Sequence, residues 1–278
     1  MIIWLASYPK SGSTWVRSFL TCLIFSQDND LNINDIKIRA FPTKKDYENI
    51  NENSENINQI IQNSLHAQSR INLDNKIKFF KTHSANWKSN DDLFTDEVNT
   101  DSVIYIVRDP RNIITSIKNH FDFDSYEKSL NFMKNEQTII GNKKSKSEID
   151  LLTIISSWSN HYKSWKKIKK DYLLIKYENL VDNSFDEFSK ISNFLKKKHD
   201  YQYSETEVAK SIENTSFDKL KLQEKEKGFI EAVTDSKGNL KKFFNLGPEN
   251  DWKNILDKKT TRLVEENFEK EMIELGYL

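Results

Sequence analysis

The N-terminal stretch restricts the fold more than any other part of the chain, because it combines a strand, a tight loop and a helix start. Residues 2–6 form a short apolar run that is typical of a buried parallel strand, and residues 16–25 carry apolar side chains suited to a helix. Between them, Pro9 and Gly12 bend the chain. The loop also offers hydroxyl groups, at Ser11, Ser13 and Thr14. Backbone N–H groups at such a helix start bind anions, so we predict a phosphate site here.

The loop differs from a Walker A sequence, G-x-x-x-x-G-K-[ST], because Lys10 precedes Gly12 instead of following a second glycine. A lysine before the turn can lie beside the bridging oxygen of a phosphoanhydride-like donor. No residue of the loop is obviously placed to hold magnesium. Two interpretations stay open on these residues alone, an anion site and a strand-turn-helix with an incidental lysine.

Length and charge limit the function classes. The 278 residues allow one large α/β domain or two small ones, and the formal net charge of zero argues against a partner in nucleic acid. No run approaches the ~20 apolar residues of a membrane span, and residues 2–6 are too short for a signal-peptide core, so we expect a cytoplasmic location. The single cysteine, Cys22, excludes an internal disulfide and is predicted to lie in the core.

Strands and helices alternate along the chain, a pattern that favours right-handed βαβ units around a central parallel sheet covered on both faces. The predicted strands after the first lie at residues 76–83, 102–107 and 172–178. The predicted helices after the first lie at residues 54–69, 113–121, 151–168, 184–195 and 261–275. Residues 28–75, 123–150 and 218–250 have weaker patterns and are predicted to be loop or cap segments. With no repeat and no linker, residues 1–278 are predicted to form a single α/β domain.

Two other strand ends carry polar groups, and the carboxyl ends of parallel strands are where such sheets place their ligands. The second strand ends at His83, and Arg108 follows the third, with Ser116 two helical turns later. Arg108 and Ser116 could both face one anion. Alternatively, Arg108 pairs with Asp109, Ser116 is a packing residue and His83 is a surface or capping histidine. The remaining histidines have no metal-ligand spacing and are assigned no role, namely His66, His120, His161 and His199.

Taken in order, these segments resemble the cytosolic-type sulfotransferases that use 3′-phosphoadenosine 5′-phosphosulfate (PAPS), and the resemblance spans nearly the whole chain. Tyr8-Pro9-Lys10-Ser11-Gly12-Ser13-Thr14-Trp15 is similar to the 5′-phosphosulfate loop of that family. Lys81-Thr82-His83 is similar to the strand end that carries its general base, and Arg108 and Ser116 to its 3′-phosphate pair. Three later matches are Tyr177-Glu178-Asn179-Leu180 with a Tyr-Glu-Asp-Leu segment, Thr215-Ser216-Phe217 with an adenine contact, and Trp158 with a Trp-containing helix.

The resemblance implies a P-loop-like sulfotransferase fold and metal-independent transfer of a sulfuryl group from PAPS to a hydroxyl or amine of a small molecule or glycan. The product of the donor is adenosine 3′,5′-bisphosphate (PAP). Lys10, assisted by Lys81, would neutralise the departing phosphate, and His83 would take the acceptor's proton. The other residues implied to bind the nucleotide are Ser11, Gly12, Ser13, Thr14, Trp15, Arg108, Ser116, Tyr177, Thr215, Phe217 and Gly247. Trp15 and Phe217 would hold the adenine between aromatic faces.

The chain departs from the family in its closing motif, Arg-Lys-Gly-x-x-Gly-Asp-Trp. Asn245 and Leu246 stand where the Arg and Lys would contact the 3′-phosphate, and Lys241 or Lys242 would help at most in part. The dimerisation motif of many members is not reproduced after Lys253, so no oligomeric state is predicted. Two alternatives remain, a magnesium-dependent P-loop phosphotransferase and a nucleotide-binding module without turnover. The first is disfavoured by the missing Gly-Lys-[Ser/Thr], the second by the intact Lys10 and His83.

Overall fold

A computed structural model of the chain describes residues 1–48, 56–141, 151–235 and 237–278. Its strands are β1 (Ile2–Ser7), β2 (Lys78–Thr82), β3 (Lys88–Ser89), β4 (Asp92–Leu93), β5 (Thr100–Val107), β6 (Ile139–Ile140), β7 (Thr153–Ile154) and β8 (Asp171–Lys176). Its α-helices are α1 (Ser13–Phe25), α2 (Ile57–Ile71), α3 (Pro110–His120), α4 (Tyr126–Lys134), α5 (Trp158–Lys166), α6 (Tyr177–Asp182), α7 (Ser184–Lys198), α8 (Glu205–Asn214), α9 (Phe217–Lys227), α10 (Trp252–Ile255) and α11 (Lys258–Leu275).

The chain divides into two compact units, each made of three separate stretches. The first unit comprises Met1–Pro9, Arg39–Val107 and Asn131–Leu174, and the second comprises Lys10–Ile38, Arg108–Leu130 and Ile175–Leu278. The single domain expected from the sequence stays a prediction.

The central sheet has the strand order β2-β1-β5-β8, and all of it except the last two residues of β8 belongs to the first unit. β1 pairs in parallel with β2, where Ile3 is opposite Phe79, and with β5, where Leu5 is opposite Ile104. Every residue of β1 is fully buried, as the continuous apolar run predicts for an inner strand covered on both faces. The predicted α/β fold with a central parallel sheet is therefore confirmed.

An aromatic cluster forms the core of the first unit around Trp4 of β1. The Trp4 ring contacts Phe41, Phe80, Phe94 and Trp165 at centroid distances of 5.3–6.2 Å. Its indole N–H donates to the Thr100 hydroxyl at 3.1 Å, so the one polar atom of the side chain is satisfied. Each aromatic pair adds about 0.5–1.5 kcal/mol to the stabilisation from buried area, which anchors β1 rigidly.

The second unit is helical. Helix α1 packs against α8, α7 packs against α6 and α8, and α3 packs against α10 and α11. The rings of Phe19 in α1 and Phe188 in α7 lie 4.2 Å apart, and Cys22 is buried in α1 as predicted. A separate apolar cluster, which we call the Phe244 cluster, consists of Leu31, Ile33, Leu220, Phe229 and Phe244.

The predicted helix at 151–168 is wrong over its first half. Thr153–Ile154 is strand β7, which pairs antiparallel with β6, and α5 begins only at Trp158. The side chain of Ser157 caps α5 by accepting the N–H of Asn160, and Ser156 has a left-handed φ of 59°. The β-branched residues before this cap favour a strand, which the helical spacing of the aromatic residues concealed.

The segments predicted as loops also contain helices. Helix α4 lies within 123–150, of which residues 142–150 are outside the described chain, and α9 begins at Phe217 and continues into 218–250. Helix α8 was missed as well, although Ser204 and Glu207 form a capping box at its start. The strand predicted at 172–178 ends at Lys176, because Tyr177 begins α6. The helix predicted at 54–69 is α2, and residues 54 and 55 lie outside the described chain.

Candidate functional site

The loop after β1 turns at two residues in the left-handed backbone region, Lys10 with a φ of 68° and Gly12 with a φ of 96°. A Cβ atom on Gly12 would lie 2.4 Å from Cδ2 of Tyr177, so only glycine fits against that ring. Gly12 is also the N-cap of α1, which has no side-chain cap and no acidic residue in its first turn. Ser13 and Thr14 open the helix and are buried. The start of α1 thus presents its amides and positive dipole end without a competing carboxylate.

The ammonium group of Lys10 lies over the ring of Phe243, with Nζ 4.6 Å from the ring centroid. Burial, together with the positive charge of Arg108, lowers the pKa of Lys10 to about 8, although Glu224 opposes the shift. The Glu224 carboxylate in turn accepts the backbone N–H groups of Phe243 and Phe244, at 2.6 and 2.9 Å. An anion beside Lys10 would favour its charged form, so this side chain is suited to a ligand of negative charge.

Arg108 follows the end of β5, and its guanidinium group is held by backbone carbonyls. Nη1 donates to the carbonyl of Lys10 at 3.1 Å, and Nη2 donates to that of Gly247 at 3.4 Å. The guanidinium carbon lies 4.0 Å from the ring centroid of Tyr177, a cation–π contact. The second unit therefore brings together Lys10, Arg108, Tyr177 and Gly247, which the sequence predicted from separate segments.

Asp109 pairs with Arg111 and not with Arg108, in contrast to the alternative considered from the sequence. Arg111 forms ion pairs of 2.7 Å with both Asp109 and Glu265. The backbone N–H of Asp109 donates to Glu178 at 2.9 Å, and burial raises the pKa of the Glu178 carboxyl. These contacts fix the first turn of α3 directly after Arg108.

Several buried polar atoms have no hydrogen-bond partner within the described residues, and three of them belong to side chains of the second unit predicted to bind the nucleotide. They are Oγ of Ser11, Nε1 of Trp15 and Nε of Arg108. A buried polar group without a partner costs about 1–3 kcal/mol, and native proteins contain few of them. All three can donate to a ligand, so together with Lys10 and the start of α1 they fit an anionic group. We call Lys10, Ser11, Gly12, Trp15 and Arg108 the anion cluster.

Ser116 lies in α3 and is bonded to a residue that sequence reasoning missed, Asn250. The Asn250 amide donates to Ser116 Oγ at 3.1 Å and to the Asn112 carbonyl at 2.8 Å, and it accepts from the Thr115 hydroxyl at 2.7 Å. Lys241, considered as a further cation, instead pairs with Asp122 at 2.7 Å. The signal for Asn250 was its departure from the glycine of the closing motif.

The residues predicted to contact adenine lie around the Phe244 cluster. Trp15 and Phe217 both pack against it, and a Cβ atom on Gly247 would lie 2.2 Å from the Phe217 ring. Thr215 is fully buried, and its hydroxyl donates to the Ser211 carbonyl at 2.7 Å. This bond gives Thr215 a role in ending α8, and its contact with adenine stays a prediction.

His83 lies in the first unit, one residue beyond β2, and its ring is oriented by β1. Nδ1 lies 2.8 Å from the carbonyl oxygen of Ser7 and 3.3 Å from the Ser7 hydroxyl. A carbonyl can only accept, so Nδ1 carries the hydrogen in the neutral ring and Nε2 is the basic atom. The neutral His83 ring is therefore held in a single tautomer.

A second histidine, His161, is hydrogen-bonded to the backbone of His83. Nε2 of His161 donates to the His83 carbonyl at 3.1 Å, while its Nδ1 accepts from the Tyr105 hydroxyl at 2.8 Å. Burial lowers the pKa of His161 to about 3, so this ring is neutral at physiological pH. We call His83 and His161 the histidine pair. His161 had been assigned no role, and its position three residues after Trp158 was the only hint.

Lys81 also belongs to the first unit. It lies in β2 opposite Leu5 of β1 and is half-buried. Its backbone is bonded on the other side to Arg39 and Phe41. Because side chains alternate along a strand, the two-residue spacing would place Lys81 and His83 on the same face. Its assistance to Lys10 stays a prediction.

Residues 2–276 match the model of the sulfotransferase domain. The chain belongs to the sulfotransferase family. Mouse Sulfotransferase 1 family member D1 is 23% identical over 286 residues, which cover 97% of this chain and 83% of that protein. Flavonol 3-sulfotransferase from Flaveria bidentis is 24% identical over 285 residues, which cover 95% of this chain and 80% of that protein.

Two solved structures share the fold of this sulfotransferase. A mouse sulfotransferase complexed with PAP aligns with a TM-score of 0.58 and 21% identity, covering 98% of this chain and 84% of that one. Retinol dehydratase in complex with androsterone and PAP aligns with a TM-score of 0.63 and 15% identity, covering 98% of this chain and 80% of that one. These similarities confirm the fold that the sequence predicted.

Within the described part of the chain, no group of three or more His, Cys, Asp or Glu side chains is arranged to hold a metal ion. Among the same residues, no helix is both long enough and apolar enough to cross a membrane. The metal-independent chemistry and the cytoplasmic location stay predictions.

Proposed function

We propose that this sulfotransferase moves a sulfuryl group from PAPS to a hydroxyl or amine of a small molecule. The observation that carries the proposal is the anion cluster, in which Ser11, Trp15 and Arg108 keep buried polar atoms without partners beside an uncapped helix start. These donors suit the phosphates and adenine edge of such a nucleotide. The PAP in two structures of the same fold supports this choice of donor.

PAPS, when bound, would supply the sulfuryl group attached to its 5′-phosphate. The amides at the start of α1, with Ser11, Ser13 and Thr14, bind the 5′-phosphate, and Lys10 stabilises the negative charge that develops on it as it departs. Lys81 assists Lys10. Transfers of this type depend more on positioning and charge neutralisation than on covalent chemistry, so rigid loop geometry matters more than any nucleophile of the protein.

His83 acts as the general base in this proposal. Nε2 accepts the proton of the acceptor group as the new bond to sulfur forms and the bond from sulfur to the 5′-phosphate oxygen breaks. The hydrogen bond from Nδ1 to the Ser7 carbonyl supports this role, because it keeps Nε2 unprotonated in the neutral ring.

Arg108 and Ser116 recognise the 3′-phosphate. Arg108 brings a full charge and an Nε–H without a partner in the described chain, and Ser116 brings a hydroxyl. Trp15 and Phe217 contact the adenine, with Tyr177 and Gly247 supporting Arg108 and Thr215 supporting the start of α9. Lys241 contributes little, since it is already paired with Asp122.

A small molecule is favoured over a glycan as the acceptor, because a solved structure of the same fold, retinol dehydratase, is in complex with androsterone and PAP.

A thermal shift series with PAP, AMP and ATP plus magnesium tests the donor, because a ligand of the folded state raises stability by RT ln(1 + [L]/Kd). We expect PAP to give the largest shift. A larger shift with ATP and magnesium would favour a phosphotransferase. Transfer of sulfate from PAPS to a panel of phenols and sugars then separates an enzyme from a binding module, with phenols expected to be the better acceptors.

A further inference from the structure

We propose that Asn250 is a positioning residue that turns the Ser116 hydroxyl toward the 3′-phosphate, an inference that rests on the proposed donor. Asn250 is only 4% exposed, and its side chain bonds to Asn112, Thr115 and Ser116, which belong to the second unit as Asn250 does. The residue stands where the closing motif has a glycine, so the interaction depends on a side chain that the motif lacks.

The orientation of the Asn250 amide is fixed by a partner that cannot donate. Its Nδ2 lies 2.8 Å from the carbonyl oxygen of Asn112, and a carbonyl only accepts, so nitrogen must face this side. Its oxygen then faces the Thr115 hydroxyl at 2.7 Å, whose single hydrogen is shared between this oxygen and the Asn112 carbonyl, 2.8 Å away. The second hydrogen of Nδ2 is thereby directed at Ser116 Oγ, 3.1 Å away.

This arrangement determines what Ser116 can do. Because its oxygen accepts from Asn250, its own hydrogen points elsewhere and is available to an anion. Among the described residues, the bond from Asn250 is the one that Ser116 Oγ makes. A hydroxyl that accepts one hydrogen bond becomes a stronger donor in the next, since such bonds polarise one another. Asn250 therefore prepares Ser116 as a donor.

The same residue links Ser116 to Arg108. The backbone N–H of Asn250 donates to the Gly247 carbonyl at 3.2 Å, and this carbonyl also accepts from Arg108 Nη2 at 3.4 Å. After Asn250, the backbone N–H of Trp252 donates to the Asn112 side chain at 2.9 Å. The segment from Gly247 to Trp252 is thus tied to α3 on both sides. Asn245 and Leu246 stand where the closing motif has two cations. Their absence is offset in part because Asn250 preorganises the remaining donors, Ser116 and Arg108.

Titration calorimetry with PAP and AMP tests the inference on four proteins: wild type, Asn250→Ala, Ser116→Ala and the double variant. We expect Asn250→Ala to weaken PAP about 3- to 10-fold, the range of one hydrogen bond, and to leave AMP within about 2-fold. The double variant should bind PAP no more weakly than Ser116→Ala alone, because Asn250 acts through Ser116. Equal losses for PAP and AMP, or additive losses in the double variant, would overturn the inference.

Asn250→Asp retains the shape of the side chain and the acceptor for Thr115 but cannot donate to Ser116. It should weaken PAP more than Asn250→Ala does, because the Ser116 hydroxyl then donates to the new carboxylate. Asn250→Asp also tests the inference if Asn250→Ala does not fold. An unchanged PAP affinity of Asn250→Asp would overturn the inference. Asn254→Ala is the matched control, since the Asn254 side chain bonds only to Asp251 among the contacts of the described chain and should change neither ligand.

The outcomes separate this inference from the proposed function. Wild-type protein that binds PAP no better than AMP would contradict both the 3′-phosphate site and the role of Asn250. Wild-type protein that prefers PAP, with the preference retained in Asn250→Ala, would contradict the role of Asn250 alone.

Discussion

The anion cluster and the histidine pair differ in how far the hydrogen bonds of their polar atoms are satisfied within the protein. The anion cluster keeps polar atoms of Ser11, Trp15 and Arg108 buried without partners in the described chain, whereas both ring nitrogens of His161 and Nδ1 of His83 have assigned partners. Donors without a protein partner suit a binding site, because the ligand supplies the hydrogen-bond acceptors that they lack. The proposed base, His83, instead has its tautomer fixed before the substrate arrives. The contrast predicts that loss of Arg108 from the anion cluster alters ligand affinity and that loss of His83 alters rate, whereas Lys10, proposed to act on the departing phosphate, should also alter rate.

The largest expected effect comes from Lys10→Met, which keeps the length of the side chain and removes its charge. Turnover at saturating PAPS should be abolished, because the departing phosphate loses its stabilising charge. Circular dichroism would check that the fold persists. Lys242→Met, at an exposed position on the loop after Val233, is the control. Turnover above about a tenth of wild type would remove Lys10 from the chemistry.

His83→Ala tests the histidine pair. The rate constant should fall by roughly 10²–10⁴-fold, the range for a lost general base, while the affinity for PAP stays nearly constant. Single-turnover kinetics and PAP titration measure the two quantities separately. His66→Ala, at an exposed histidine of α2, should leave both unchanged. Parallel losses of rate and PAP affinity would make His83 a ligand-positioning residue and would break the division between the two regions.

Arg108→Ala should affect affinity in the anion cluster. Loss of a charge-assisted bond should weaken PAP by roughly 10- to 100-fold and should leave AMP nearly unaffected, because AMP lacks the 3′-phosphate. Calorimetry with both nucleotides gives the ratio directly. Arg262→Ala, which removes an exposed arginine paired with Glu266, is a suitable comparison. If PAP and AMP weakened equally, Arg108 would support the loop through the Lys10 carbonyl and would not recognise the 3′-phosphate.

The smallest expected effect is the dependence of binding on pH. The lowered pKa of Lys10, about 8, means that the side chain loses its charge as pH rises through that value. PAP affinity should therefore decrease between pH 7 and pH 9, by up to about 10-fold, and binding near pH 8 should take up a proton. Calorimetry in two buffers of different ionisation enthalpy measures this uptake. In Lys10→Met the proton uptake should disappear, and its persistence would assign the effect to another group.

Local patterns in the sequence predicted β1, the loop and α1, because a continuous apolar run, Gly12 and Lys10 act within a few residues of one another. The same holds for α3, where Pro110 occupies an early helical position and Asp109 caps the helix as its side chain accepts the Arg111 N–H. These elements depend on backbone geometry that neighbouring residues determine.

The missed features depend on residues far apart in the chain. His161 supports His83 across 78 positions, and Asn250 bonds to Ser116 across 134. No spacing rule connects such pairs, because tertiary packing alone brings them together. Helix α9 was missed for another reason. It buries only Leu220, so the periodic apolar face that sequence analysis requires is nearly absent.

The fit between Gly12 and Tyr177 has a consequence for how recognition of the nucleotide can change. The ring of Tyr177 lies against the turn at Gly12 and also contacts the Arg108 guanidinium. A substitution that enlarges the turn must displace the ring, and the displaced ring moves the arginine. The two proposed phosphate contacts are therefore linked through a single side chain, and a redesign of one should change the other.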